Sequence, residues 1–146
     1  MTRSKPAAGE AMAMRSYAQQ QTRTLLRRLA FQVSQTGRDG DADSVHDLRV
    51  AIRRFTQCLR SFAQFFPKGE AKKIRQKLKM VMQTASAVRD CDITLDLLKD
   101  AGINKKSKSG STIDKQRKQA KKNLMNAIRH SSPDNFSRKW RAKLEL

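Results

Sequence analysis

Ser44-Val45-His46-Asp47-Leu48-Arg49-Val50-Ala51-Ile52-Arg53-Arg54-Phe55-Thr56-Gln57-Cys58-Leu59-Arg60-Ser61-Phe62-Ala63-Gln64-Phe65-Phe66 is the stretch whose reading decides the fold. Its apolar residues fall at Val45, Leu48, Ile52, Phe55, Leu59, Phe62 and Phe66, in steps that alternate three and four. That spacing is the seam of a helix packed lengthwise on other helices. One residue along from the seam stand His46, Arg49, Arg53 and Arg60, again in one helical row. One helix therefore carries an apolar stripe and, about 100° round, a cationic stripe. A row of like charges repels itself by a few tenths of a kcal/mol per i,i+4 pair, roughly. Such a row calls for an anionic partner.

The whole chain shares that bias. Lys and Arg number 32 against 13 acids, a formal charge of +19 over 146 residues. The excess opposes compaction and draws polyanions: nucleic acid, polyphosphate, an anionic membrane surface or an acidic protein. Eight aromatic residues are present, and Phe55, Phe62, Phe65 and Phe66 lie in the stretch quoted above. Few are left as stacking platforms for bases, which weighs against single-stranded nucleic acid. Cys58 and Cys91 are the only cysteines and read as reduced packing residues. No apolar run approaches the roughly 18 residues of a membrane helix, and Met1 to Met14 lacks an apolar secretion core. The expected compartment is the cytoplasm.

His46-x-x-Arg49-Val50-x-x-Arg53-Arg54, followed later by Arg89-Asp90-x-Asp92, resembles the CHAD family, the conserved-histidine α-helical domains. The resemblance spans about residues 10 to 145 and is strongest at 45–66 and 88–98. It implies an all-α domain that binds inorganic polyphosphate through basic helix faces, with His46 in the ligand groove. It also implies that Arg89 reaches the ligand while Asp90 and Asp92 orient neighbouring arginines. The family pattern has two related helical halves, whereas this chain holds one histidine–arginine helix, as in half of a two-bundle domain. Either a second copy covers the exposed half, as a homodimer, or the last helices fold back to finish one bundle. Self-association is the expectation.

Read in order, the chain is an antiparallel bundle of five to six helices, with a domain over 10–146 and a loose lead over 1–9. Glu10 to Thr36 forms a first helix with a ragged face of Met14, Ala18, Leu25, Leu29 and Val33, interrupted at Gln21 and stopped by Gly37. Arg23 and Arg27 share its second face. Asp43 or Ser44 caps the central helix, with Ser44 and Asp47 approximating a capping box. Pro67 and Gly69 end it. A third helix over 70–85 buries Ile74, Leu78, Val81 and Ala85 and shows Lys72, Arg75 and Lys79 on its flank. A fourth over 89–101 opens at Asp90 and Asp92 and places Ile93, Leu97 and Leu98 inside. Residues 103–111 form a basic loop. A fifth helix over 112–130 buries Ile113, Ala120, Leu124 and Ile128 and displays Lys115, Lys118, Lys122 and Arg129. Ser132 and Pro133 open a last helix, docked by Phe136, Trp140 and Leu144.

The polyphosphate ligands expected are His46, Arg49, Arg53, Arg54, Arg60, Lys72, Arg75, Lys79 and Arg89, with Arg23, Arg27, Lys118 and Lys122 alongside. Arginine suits phosphate because its planar fork donates two hydrogen bonds to two oxygens; lysine adds charge. A polyanion beside His46 favours its charged form, so affinity is expected to rise as pH falls. Catalytic and metal-binding signatures are missing. There is no phosphate-cradling glycine-rich loop and no GxSxG or Cys–His pattern. Asp90 and Asp92 lack a third acid or a histidine at ligand spacing, and His46, Cys58, Cys91 and His130 lack the paired spacing of a zinc site. The expectation is a binding module without catalysis, cofactor or metal. The alternatives are a basic nucleic-acid-binding protein and an accessory subunit of a phosphate-processing enzyme.

Overall fold

A computed structural model describes residue 4 and residues 7–146 and shows five α-helices, with no strand among the described residues. They are α1 (Ala8–Arg38), α2 (Ala42–Ser61), α3 (Glu70–Asp100), α4 (Lys108–Ser131) and α5 (Phe136–Lys143). Of the lead expected over 1–9, residues 1–3, 5 and 6 lie outside the described residues, and Ala8 and Gly9 already belong to α1. Helix α1 packs on α2, α2 on α3, and α3 on α4, while α1 also meets α4 and α5. Neighbours run antiparallel. Thr36 bonds Ser44 at one end of the α1–α2 pair, and Thr22 meets Cys58 towards the other.

The seam of α2 is the middle of the core. Val45, Leu48, Ile52, Phe55 and Leu59 are all sealed from solvent, against Leu26, Leu29, Ile74, Leu78 and Val81. A buried side chain of this size contributes about 1.5–3 kcal/mol by leaving water. The stripe ends sooner than its periodicity suggests. Helix α2 stops at Ser61, and a 3₁₀ turn at Ala63–Phe65 carries Phe66 into the core before Pro67. Helix α5 folds back, burying Phe136, Trp140 and Leu144, with Trp140 stacked on Phe55 at 6.2 Å between ring centres.

Several boundaries differ from the sequence reading. Gly37 does not stop α1, which runs one residue further; Gly40 makes the turn at φ +57°. The cap of α2 is Asp41, two residues before the earliest candidate. Its Oδ1 accepts the amide of Ser44 at 2.8 Å, which holds the Asp41 carboxyl below the usual carboxylate range. Ser132 and Pro133 do not open the last helix; α5 begins at Phe136 after Asn135 in the left-handed region. In α1 the interruption is filled by Thr22, fully buried, whose hydroxyl donates to the Ala18 carbonyl at 2.6 Å. The seam then continues through Leu26, while Leu25 packs at its margin.

The largest difference is in α3. The two helices expected at 70–85 and 89–101 are one helix of 31 residues. Ala85-Ser86-Ala87-Val88 contains neither glycine nor proline, so nothing interrupts the ladder. Asp90 and Asp92 are mid-helix and cap nothing. Ile93 and Leu97 are not inside either: they are 42% and 63% exposed. The inward position belongs to Asp92, buried and paired with Arg117 of α4. Arg117 also donates through Nη2 to the Gly40 carbonyl at 3.0 Å, so one guanidinium ties α3, α4 and the α1–α2 turn.

The loop after α3 is shorter than expected, since α4 starts at Lys108. Ser107 caps it, accepting the Gly110 amide at 3.1 Å. Gly110 is required there: a Cβ would lie 2.6 Å from the Lys105 carbonyl oxygen.

Candidate functional site

The cationic rows of α2 and α3 face each other across a cleft of about 680 Å³. Helix α2 contributes Arg53, Thr56 and Arg60; α3 contributes Lys72, Arg75, Gln76, Lys79, Gln83 and Ser86. Ile52, Leu78 and Met82 form its floor. Both walls follow from helical spacing. Residues 53, 56 and 60 and residues 72, 75, 79, 83 and 86 step by three or four, one row on each helix, just beside the buried seams. Between Lys72 and Asp90 the α3 wall runs about 27 Å at the rise of an α-helix. Five cations line the cleft against one carboxylate, Asp90, which stands at the end away from Arg60 and Lys72.

Arg75 is the notable member of this set. It is half-buried, and its Nε is closed off from solvent without a hydrogen-bond partner among the described residues. A buried donor left unmade costs about 1–3 kcal/mol, and more when it is charged. An oxyanion in the cleft would supply the acceptor if the Arg75 side chain turned its Nε towards it. Arg53, Arg60, Lys72 and Lys79 are exposed and form no ion pair among the described residues.

The expected ligand residues do not all gather here. Arg53, Arg60, Lys72, Arg75 and Lys79 do. Arg49 lies beside the cleft, its Nε donating to the Ser86 hydroxyl at 3.3 Å across the α2–α3 contact. His46 is exposed on the next turn of the same row and does not line the cleft; Arg89 is half-buried and does not line it either. Arg54 and Arg27 sit on the opposite side of α2, in a separate groove with α1, and Arg23 lies further along α1. Lys118 and Lys122 project from α4, and Lys118 is 3.5 Å from Asp114. Desolvation pushes the Asp114 carboxyl up, but the ammonium groups of Lys105 and Lys118 outweigh it and leave the group below its usual range.

Thr56, Gln76, Gln83 and Ser86 of the cleft wall were not singled out from the sequence. The signal was there: each completes the three-and-four row of the cations beside it. Thr56 is already committed, its hydroxyl donating to the Ile52 carbonyl at 2.9 Å. Cys58 is a packing residue, buried against the Thr22 hydroxyl, and burial pushes its thiol up. No helix among the described residues is long and apolar enough to cross a membrane.

Comparison with known proteins agrees with the motif reading. A search of curated proteins and a search of solved structures each gave no match. A family model described as the CHAD domain matches residues 16–146, which take in all of α2 to α5 and most of α1. The helical bundle, the basic row that begins at His46 and this near full-length match lead to one conclusion: the chain belongs to the CHAD domain family.

Proposed function

We propose that the protein binds inorganic polyphosphate in the α2–α3 cleft and does not cleave it. The observation that carries this reading is the gathering of five cations along one cleft, among them Arg75, whose Nε has no partner among the described residues. The association of the CHAD family with polyphosphate supports it. The cleft is elongated and presents arginine forks and lysine charges in succession, which suits a flexible chain of phosphates. Among the described residues no aromatic side chain lines it, so bases have nothing to stack on, and this favours polyphosphate over nucleic acid. Among the described residues Asp90 is the only carboxylate on the wall, with no histidine beside it, and a paired acid and base do not converge there.

Calorimetric titration with long polyphosphate, short polyphosphate, duplex DNA and heparin at one fixed salt concentration tests the reading. Long polyphosphate should bind tightest per phosphate. The double variant Arg53→Glu/Arg75→Glu should lose binding while circular dichroism shows unchanged helix content. Equal displacement by DNA, or full retention in that variant, would move the function elsewhere. Phosphate release above the protein-free rate would reject the non-catalytic part and return attention to a phosphate-processing role. Self-association is part of the same proposal, because Ile93 and Leu97 stand exposed one helical turn apart. A strict monomer by sedimentation at micromolar concentration rejects it. In the cell, the reading places the protein in the cytoplasm with polyphosphate granules, which co-localisation by microscopy would test.

A further inference from the structure

A second groove lies on the other side of α2, against α1, with a volume of about 500 Å³. Arg53 and Arg54 are neighbours in sequence, but the helix turns them into different grooves. Arg54 joins Arg27 and Arg28 of α1, and none of the three forms a hydrogen bond or ion pair within the set described. This groove differs from the first in one respect. One helical turn on from Arg27 and Arg28 stands Phe31, a large apolar side chain left 57% exposed, and Leu25, Val50 and Ala51 also line the groove.

We propose that the α1–α2 groove is a nucleotide site, taking a flat aromatic base on Phe31 and its phosphates on Arg27, Arg28 and Arg54. Both grooves have apolar lining, but only this one has an exposed ring, and a polymer of phosphate alone makes no use of it. An acyl chain would use the ring and the lining, but Thr24, Gln32 and Asp47 break the lining with hydrogen-bonding groups. A nucleotide meets both conditions. Its base stacks on the ring, and its amino or ribose hydroxyl groups can donate to the Asp47 carboxylate. The volume lies within the usual range for a small-molecule site, roughly 300–1,000 Å³. The spacing is built into both helices: Thr24, Arg28 and Phe31 on α1, and Asp47, Ala51 and Arg54 on α2, follow steps of three and four. This site is independent of the polyphosphate cleft.

The test is calorimetric titration with ATP, adenosine and inorganic triphosphate. With the α2–α3 cleft disabled by Arg53→Gln/Arg75→Gln, the protein should bind ATP about fivefold or more tightly than triphosphate, the size expected of one stacked base. Phe31→Ala should erase that preference, and Phe31→Tyr should keep it; Phe31 is exposed, so neither should disturb helix content by circular dichroism. The Phe31 variants are made in that same background, so that triphosphate bound in the other cleft does not enter the comparison. Equal affinity for ATP and triphosphate in Arg53→Gln/Arg75→Gln overturns the proposal. So does a preference that Phe31→Ala leaves intact, or a Phe31-dependent affinity for dodecyl phosphate that exceeds that for ATP. Failure of polyphosphate binding alongside Phe31-dependent ATP binding would strike the proposed function and leave this site standing.

Discussion

Arg75 and Arg117 show how one residue type serves two ends in the same bundle. Arg117 is satisfied within the protein, by Asp92 and by the Gly40 carbonyl. Arg75 leaves a shielded Nε unmatched. The first is structural; the second is the one on which the proposed binding can be tested. Arg75→Lys preserves the charge but removes Nε and the planar fork; its affinity for polyphosphate should fall about tenfold, the cost of one good charge-assisted bond. Titration of that variant at wild-type affinity would mean that the shielded nitrogen plays no part. Asp92→Ala strands the Arg117 guanidinium in a site where its side chain is only 18% exposed. Loss of one partner from such a pair should cost about 3 kcal/mol in urea unfolding, and an unchanged midpoint would contradict the clamp described here. At this scale the cations of the cleft were legible, because steps of three and four are all that place them. The Asp92–Arg117 pair was not. Its members are 25 residues apart on different helices, and no local pattern joins them. Thr22 was hidden for another reason: a polar residue at a core position only makes sense once its hydroxyl is seen returning to the Ala18 carbonyl.

Helix α3 is the element that the sequence described least well. The acidic pair at Asp90 and Asp92 looked like an N-terminus, because aspartate often caps helices. Capping, however, needs a preceding break, and Ala85 to Val88 offers none. Continuity can be measured. Ala87 is exposed, so Ala87→Gly there should cost about 1 kcal/mol, the penalty of a helix interior. A cost near zero in thermal or urea unfolding would indicate a loose joint in α3. Continuity also explains why Ile93 and Leu97 were misplaced. If a helix began at Arg89, its apolar residues would define its own inner face. As the second half of a longer rod, they inherit the direction already set by Ile74, Leu78, Val81, Ala85 and Val88, and point out. By contrast, the buried faces of α2 and α5 were legible, since their buried residues are large and evenly spaced, although the starts of both helices were not.

On the scale of the molecule, the charge of +19 is not spread evenly in effect. Antiparallel packing concentrates part of it in the α2–α3 cleft and part in the α1–α2 groove, on either side of one buried seam. The sequence conveyed that several helices carry basic rows. Which rows share a groove depends on the order of packing, and this separated Arg27 and Arg54 from Arg53 and Arg75. With five cations in the cleft, the logarithm of polyphosphate affinity should fall against the logarithm of salt with a slope of about −3 to −4, as for single-stranded phosphate polymers. A slope near zero would indicate binding without phosphate contacts.

The reach of Arg117 to the Gly40 carbonyl, across 77 positions of chain, bears on how the bundle opens. Each hairpin of helices could otherwise breathe separately. With this bridge in place, the turn near Gly40 and the middle of α4 should belong to one cooperative unit. Deuterium uptake followed by mass spectrometry should rise at both places together when Arg117 is replaced by Met, and the uptake of one without the other would show that the early and late helices come apart on their own.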